Sequence, residues 1–253
     1  MRRMAFSGLV SRLVLPRADL EPEQLSVAHA GGTLTVTFVR SARARRVSLR
    51  VDAGRRRIVL TSPMRLSLAT AHAFAQAHAG WIAARLRRLP ERRPFVDGAE
   101  VPYFGQPHVI RHRPDARGTV WREGSEIHVA GRAEHLPRRL RDWLTAELRR
   151  ELLPLVHAKA ASVDRRVKRI TIRDNRSRWG SCGPDATMTF SWRLVFAPTE
   201  VVDYLVAHEV AHLVHLNHSR RFWALARKLT AGPMDPPHLW LRQNADLLLQ
   251  YGA

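Results

Sequence analysis

The amino-acid sequence predicts an α+β protein, because segments typical of strands and segments typical of helices are segregated along the chain instead of alternating regularly. Residues 34–61 and 101–129 contain short runs in which apolar and polar residues alternate, as in half-buried strands. In most of the chain from residue 136 onward, apolar residues recur every three or four positions, as on helices. A chain of 253 residues can bury a substantial core and can hold one domain or two.

Three regions are expected along the chain. Residues 1–23 are predicted to be a loosely ordered leader, and no long apolar stretch within them suggests a secretory signal. Residues 24–135 are predicted to form a small antiparallel, β-rich N-terminal region that contains one helix. Residues 136–253 are predicted to form the core that carries the chemistry.

The N-terminal region is predicted to contain two sets of short strands with one helix between them. Ser67 is a suitable N-cap for that helix, which is expected to run to about Leu89, where prolines at positions 90 and 94 end it. The predicted strands cover residues 34–39, 46–51, 57–61, 101–104, 109–112, 119–121 and 126–129.

The core is predicted to contain a long helix over residues 136–163, two strands and three further helices. The second strand, 187–195, is expected to be an edge strand beside the next helix. Thr199 is the expected N-cap of that helix, with Glu200 complementing its dipole, and the helix is expected to end around Leu216. The last two helices are predicted at 219–229 and 239–250.

The most informative motif is His208-Glu209-Val210-Ala211-His212. On a helix, residues four apart lie one turn apart on the same face, so the two imidazoles can share a divalent ion. The glutamate between them can then handle the proton of a metal-bound water, which is the H-E-x-x-H pattern of zinc hydrolases. The alternative is a buried helix with hydrogen-bonded histidines, but a glutamate on an apolar helix is costly to bury without a purpose.

The third metal ligand has two candidates, His218 and His215. His215 lies seven residues after His208, and three ligands along one straight helical stripe would form a nearly linear array, whereas zinc prefers a tetrahedron. His218 avoids this problem if Asn217 adopts the left-handed conformation and turns the chain back. We therefore expect one Zn²⁺ per chain at His208, His212 and His218, and His215 stays the alternative.

The composition is strongly basic, with 42 Lys and Arg against 22 Asp and Glu and a net charge of +20. Eight arginines lie within residues 40–57, and a second basic cluster covers residues 165–178. These clusters indicate either a nucleic acid or other polyanionic partner or a solvated surface without a partner. No apolar run is long enough to span a membrane, and the single cysteine, Cys182, excludes an internal disulfide, so a cytoplasmic location is expected.

Several motifs around the histidines carry a family resemblance. They are 176–182 (Arg-Ser-Arg-Trp-Gly-Ser-Cys), 192–195 (Trp-Arg-Leu-Val), Asp203-Tyr204 and Asn217-His218-Ser219. Taken in order, they resemble the YgjP-like metallopeptidase family, a relative of the SprT-like zinc proteases, over about residues 41–248. The resemblance implies a gluzincin-like, minimal zincin core at 136–253, with zinc on His208, His212 and His218 and Glu209 as the catalytic acid and base.

The predicted function is hydrolysis of peptide bonds in a peptide or protein substrate by a zinc-activated water, with Glu209 as general base and acid. The alternatives are a metal-dependent nucleotide or phosphoester hydrolase and a nucleic-acid-associated SprT-like repair protease. Gly180 could allow a close backbone approach at the cleft, and Cys182 is expected to be structural. The candidates for contacts with the substrate or the transition state are Tyr204, Arg178, Arg193 and His215.

Overall fold

The computed structural model describes residues 23–176 and 178–252. Residues 23–50 and 58–82 form one compact unit, and residues 51–57 and 83–252 form a second. The predicted leader, 1–23, lies outside the described residues except for Glu23, which begins the first strand. The boundary expected between residues 135 and 136 lies within the second unit, and that division into domains stays a prediction.

The first unit contains a four-stranded sheet and helical segments. Its strands are β1 (Glu23–His29), β2 (Gly32–Arg40), β3 (Ser48–Asp52) and β4 (Arg57–Ser62), in the order β1-β2-β4-β3. The helices are α1 (Leu68–Ala77) and α2 (Ala79–Arg87), and the division between the two units passes through β3 and α2. The mixture of sheets and helices confirms the α+β prediction. The expectation that the N-terminal sheet is antiparallel is wrong, because β2 pairs with β4 in parallel.

The helix predicted from Ser67 to Leu89 is interrupted. Ser67 caps α1 as expected, since its side chain accepts a hydrogen bond from the Thr70 N–H at 3.1 Å. At His78, however, the backbone leaves the helical conformation, and the Nδ1 of the ring lies 2.8 Å from the Phe74 carbonyl oxygen. A side chain that bonds the preceding turn in this way competes with the helical ladder, so two helices replace the predicted one.

The second unit begins with a four-stranded sheet that packs against a long helix. The strands are β5 (Glu100–Tyr103), β6 (Gln106–Arg113), β7 (Val120–Glu123) and β8 (Glu126–Ala130), in the order β5-β6-β8-β7. Helix α3 (Leu136–Ala161) covers this sheet with a stripe in which every fourth residue is buried. The stripe consists of Leu136, Leu140, Leu144, Leu148, Leu152, Val156 and Ala160.

A three-stranded sheet follows, and it corrects one expectation. Its strands are β9 (Arg169–Arg173), β10 (Gly180–Cys182) and β11 (Thr187–Ser191), in the order β10-β11-β9. The prediction that residues 187–195 form an edge strand is wrong, because β11 is central, parallel to β9 and antiparallel to β10. The edge strands are β9 and β10, of which β10 contacts α4, and residues 192–196 form a buried 3-10 helix.

Three helices complete the second unit: α4 (Thr199–Ala211), α5 (Arg220–Leu229) and α6 (Asp235–Leu248). Helix α4 packs against α3, α5, α6 and β10, so it lies in the centre of the unit. Its N-cap is Pro198 and not Thr199, and it ends at Ala211 and not near Leu216. Among the described residues, no helix has the length and apolar character needed to cross a membrane.

Candidate metal centre

Three histidines converge at the end of helix α4. His208, His212 and His218 each offer one ring nitrogen, and the three nitrogens lie within 4.8 Å of one another. The Nε2 atoms of His208 and His218 are 3.1 Å apart. The ring of Phe222, in α5, lies against all three imidazoles, with centroid distances of 4.9, 4.5 and 4.6 Å. The arrangement is suited to a metal ion.

His218 reaches the other two histidines because α4 ends early. After Ala211 the chain forms a turn in which the N–H groups of Leu213 and His215 bond the carbonyls of Val210 and Ala211. Asn217 does not adopt the left-handed conformation that was expected to close the helix. The chain therefore turns back towards the other histidines because α4 ends early, and not because Asn217 closes the helix. Ser219 then caps the first turn of α5.

The two histidines proposed as alternative third ligands have different positions. His218 belongs to the group of three, whereas the ring of His215 does not. The carbonyl oxygen of His215 instead accepts a hydrogen bond from Nδ1 of His212 at 3.0 Å. This bond leaves Nε2 of His212 as the nitrogen with a free lone pair, as in protein metal sites where a backbone carbonyl orients the ligand. Nδ1 of His208 has no such partner among the described residues.

Two of the three histidines, His208 and His212, are neutral near pH 7. Burial lowers the pKa of His208 to about 4, and the neighbouring charges of His212 and His218 act in the same direction. Burial also lowers the pKa of His212. A neutral imidazole can donate its lone pair to a metal, whereas a protonated one cannot. These side chains are therefore a fitting donor set for a divalent transition metal.

Glu209 lies beside the histidines on α4 and is only 4 % exposed. Burial raises the pKa of its carboxyl to about 7, although the charge of Arg178 acts against this rise. The carboxyl packs against Gly180 of strand β10, where a Cβ atom would lie only 2.5 Å from Oε1. The close approach expected at Gly180 is present, and it is made to Glu209.

The model of one protein family, described as "YgjP-like, metallopeptidase domain", matches residues 45–244. The chain belongs to the YgjP-like family. This confirms the resemblance seen in the sequence motifs, and it indicates a metal-dependent peptidase whose metal ion the three histidines could bind. Comparisons with curated proteins and with solved structures gave no match.

The candidate substrate contacts of this YgjP-like protein have different environments. Arg178 is exposed, and its charge acts on Glu209. Tyr204 is buried one helical turn before His208, its ring centroid is 6.2 Å from that of His208, and burial raises its pKa. Arg193 is 1 % exposed, so it has no surface to offer to a substrate. It forms an ion pair with Asp174, and its guanidinium lies over the ring of Trp192.

A cavity of about 270 Å³ lies beside Tyr204 and Trp223. Its lining consists of Tyr204, Trp223, Arg227, Met234, Asp235 and His238. The ring of Trp223 lies 5.6 Å from His208 and 5.5 Å from His218, so it separates the cavity from the metal site. Trp223 and His238 were not predicted as functional residues, because only the folding of α5 and α6 against α4 brings them to Tyr204.

Proposed function

We propose that this protein is a zinc-dependent peptidase. One zinc ion per chain is held by His208, His212 and His218, and Glu209 is the general base and acid. The observation that carries the proposal is the convergence of neutral imidazoles beside a buried carboxyl on one helix end. This helix with its H-E-x-x-H motif is the element from which we infer a gluzincin-like core.

The separation between His208 and His218 supports zinc. In a tetrahedral site with Zn–N bonds of about 2.0–2.1 Å, two ligand nitrogens are about 3.3 Å apart. The Nε2 atoms of His208 and His218 are 3.1 Å apart, close to that separation. Three protein ligands leave a fourth position open, as in catalytic zinc sites. When bound there, the metal supplies Lewis-acid activation of water and of the substrate carbonyl.

Glu209 moves the proton in the proposed reaction. Its carboxylate accepts a proton from the attacking water and then donates it to the amine that leaves when the peptide bond breaks. A general base and acid works best when its pKa is near the working pH, and burial raises the pKa of Glu209 to about 7. The same burial excludes bulk water from the carboxylate.

Strand β10 is the proposed platform for the substrate. It is an edge strand, so one side of its backbone is available to pair with an extended peptide. Because Gly180 in β10 packs against Glu209, a peptide paired with this strand would pass the catalytic carboxyl. The cavity next to Trp223 could then hold a substrate side chain. Arg178 and Tyr204 are the proposed stabilisers of the negative charge that develops on the carbonyl oxygen.

Replacing Glu209 with glutamine tests this proposal. Glutamine has the same shape, so it preserves the packing against Gly180 while it removes the proton acceptor. We expect Glu209→Gln to keep one zinc per chain, measured by elemental analysis. The rate of peptide hydrolysis should fall by about 10²–10⁴-fold. Hydrolysis at the parental rate would refute the assigned role.

The parent protein is assayed in parallel against nucleotides, since faster release of phosphate than of peptide products would favour a phosphohydrolase.

A further inference from the structure

The first unit has a strong excess of positive charge. Its described residues, 23–50 and 58–82, contain six arginines, no lysine and one acidic residue, Glu23. Glu23 forms an ion pair with Arg40, at the end of β2. The other five arginines are exposed, and they form no ion pair with any of the described residues. We call these five the arginine cluster: Arg43, Arg45, Arg46, Arg50 and Arg65.

The backbone brings most of this cluster together. The turn that follows β2 and the turn that follows β4 are joined by a hydrogen bond from the Ser41 N–H to the Ser62 carbonyl, 2.9 Å long. Each turn is closed by its own hydrogen bond, from Ala44 to Ser41 and from Leu66 to Pro63. The first turn carries Arg43 and the second carries Arg65. Arg45 and Arg46 follow Arg43 within about 10 Å of chain.

Other arginines in the same stretch of sequence, residues 40–57, differ from the cluster because their side chains have partners. Arg57 pairs with Asp52, and Arg56 donates to the carbonyls of Leu89 and Pro90. These side chains have partners within the second unit. Among residues 23–50 and 58–82, the arginine cluster has no comparable partner, so its charges repel one another without stabilising this part of the fold. The packing of these described residues does not explain why guanidinium groups occupy these positions.

We propose that the arginine cluster binds the phosphate backbone of a nucleic acid. Guanidinium groups bind phosphate through two parallel hydrogen bonds, which favours arginine over lysine at such sites. A DNA duplex carries one charge per about 1.7 Å of helix axis, so it presents several phosphates to cations that lie about 10 Å apart. A single small anion could neutralise only part of the cluster. No residue of the arginine cluster belongs to the proposed catalytic site, and binding by the cluster does not depend on peptide hydrolysis.

The test measures the binding of a labelled DNA duplex by fluorescence anisotropy over a range of salt concentrations. The sample is the full chain with Glu209→Gln, so that proteolysis plays no part. Each contacted phosphate contributes about −0.9 to the slope of log K against log salt, so five contacts give about −4.5. Arg45→Gln/Arg46→Gln is expected to reduce that slope by about 1.8 and to weaken binding by about tenfold or more.

The matched control removes the same charge from the second unit. Arg117 and Arg149 are exposed there and form no ion pair with any described residue, so Arg117→Gln/Arg149→Gln should leave the slope unchanged. Equal weakening by both double variants would overturn the proposal, because binding would then reflect net charge alone. Lack of binding at low ionic strength would also overturn it, as would binding of phosphatidylserine vesicles in preference to the duplex. Circular dichroism of each variant verifies that it is folded.

Discussion

Gly180→Ala is the most specific test of how the fold positions Glu209. The backbone of Gly180 has an ordinary conformation, so the only obstacle to alanine is the space that its Cβ needs. That Cβ would lie 2.5 Å from Oε1 of Glu209, whereas ordinary contacts are 3.4–4 Å. The carboxyl must therefore retreat by about 1 Å, and Glu209 has little room for this because it is 4 % exposed.

The expected loss follows from that displacement. Misplacing a catalytic group by about 1 Å can reduce the rate by about 10²-fold, which corresponds to about 2.7 kcal/mol in the activation free energy. Since Gly180 contacts the carboxyl that we propose as the general base, the fall should occur in kcat rather than in KM. Overpacking should also reduce the free energy of unfolding by about 1–3 kcal/mol. The zinc content should stay at one ion per chain.

Kinetics with a fluorogenic peptide, elemental analysis and thermal melting measure the three effects. Gly232→Ala is the matched control, because that glycine also has an ordinary backbone conformation and a Cβ there would meet no atom within 4 Å. If Gly180→Ala keeps a kcat within about twofold of the parent while holding its zinc, the inferred dependence of catalysis on this contact is wrong.

Three further predictions concern the metal, the thiol and the ion pair between the buried Arg193 and Asp174. His218→Ala should abolish stoichiometric zinc binding, whereas His215→Ala should keep it because only the backbone carbonyl of that residue contacts the site. Burial raises the pKa of Cys182 from 9.0 to about 11, so iodoacetamide at pH 8 should modify it about 100-fold more slowly than a free thiol; modification at the rate of a free thiol would contradict this environment. Although burial acts in the opposite direction, Arg193 holds the pKa of Asp174 below its ordinary value. The pair should therefore stabilise the fold at pH values above the ordinary pKa of an aspartate carboxyl. This stabilisation should be lost as the pH falls through the lowered pKa of Asp174. Because the Asp174 side chain is 43 % exposed, Asp174→Asn should cost only about 1–2 kcal/mol in urea unfolding at pH 7, and less at pH 3.

Local patterns predicted those parts of the fold that depend on short-range interactions. The stripe on α3 repeats every four residues, so its buried face follows from the sequence alone. Ser67 caps α1 because the bond it accepts comes from Thr70, three residues away. The same-face geometry of His208 and His212 likewise follows from their separation by one helical turn.

The order of strands could not be derived in this way. Alternation at residues 187–191 correctly predicts a strand, but it does not say which neighbours the strand has. Both β9 and β10 pair with β11, so both are edge strands, and the one that contacts α4 consists of only three residues, Gly180–Cys182. A segment this short has too little alternation to predict a strand. The edge strand beside α4 is therefore β10 and not β11.

Arg193 shows why charge alone is a poor guide to a substrate contact. An arginine near catalytic motifs suggests a group that binds substrate, and the sequence gives no reason to bury it. In the fold, Asp174 precedes it by nineteen residues yet forms an ion pair with it, and Trp192 lies beneath its guanidinium. A buried charge needs such a partner. The ion pair therefore makes the burial of Arg193 tolerable, and the burial keeps its guanidinium away from a substrate.

The proposed active site depends on the approach of two elements that are distant in sequence. Helix α4 supplies the histidines and Glu209, but their spacing on the helix leaves the orientation of the carboxyl undetermined. Strand β10 restricts that orientation, because Gly180 allows the backbone to touch the carboxyl and a larger residue would displace it. The same edge strand is the surface to which a peptide could bind. One glycine therefore links the position of the general base to the proposed path of the substrate, and its replacement should affect catalysis before it affects metal binding.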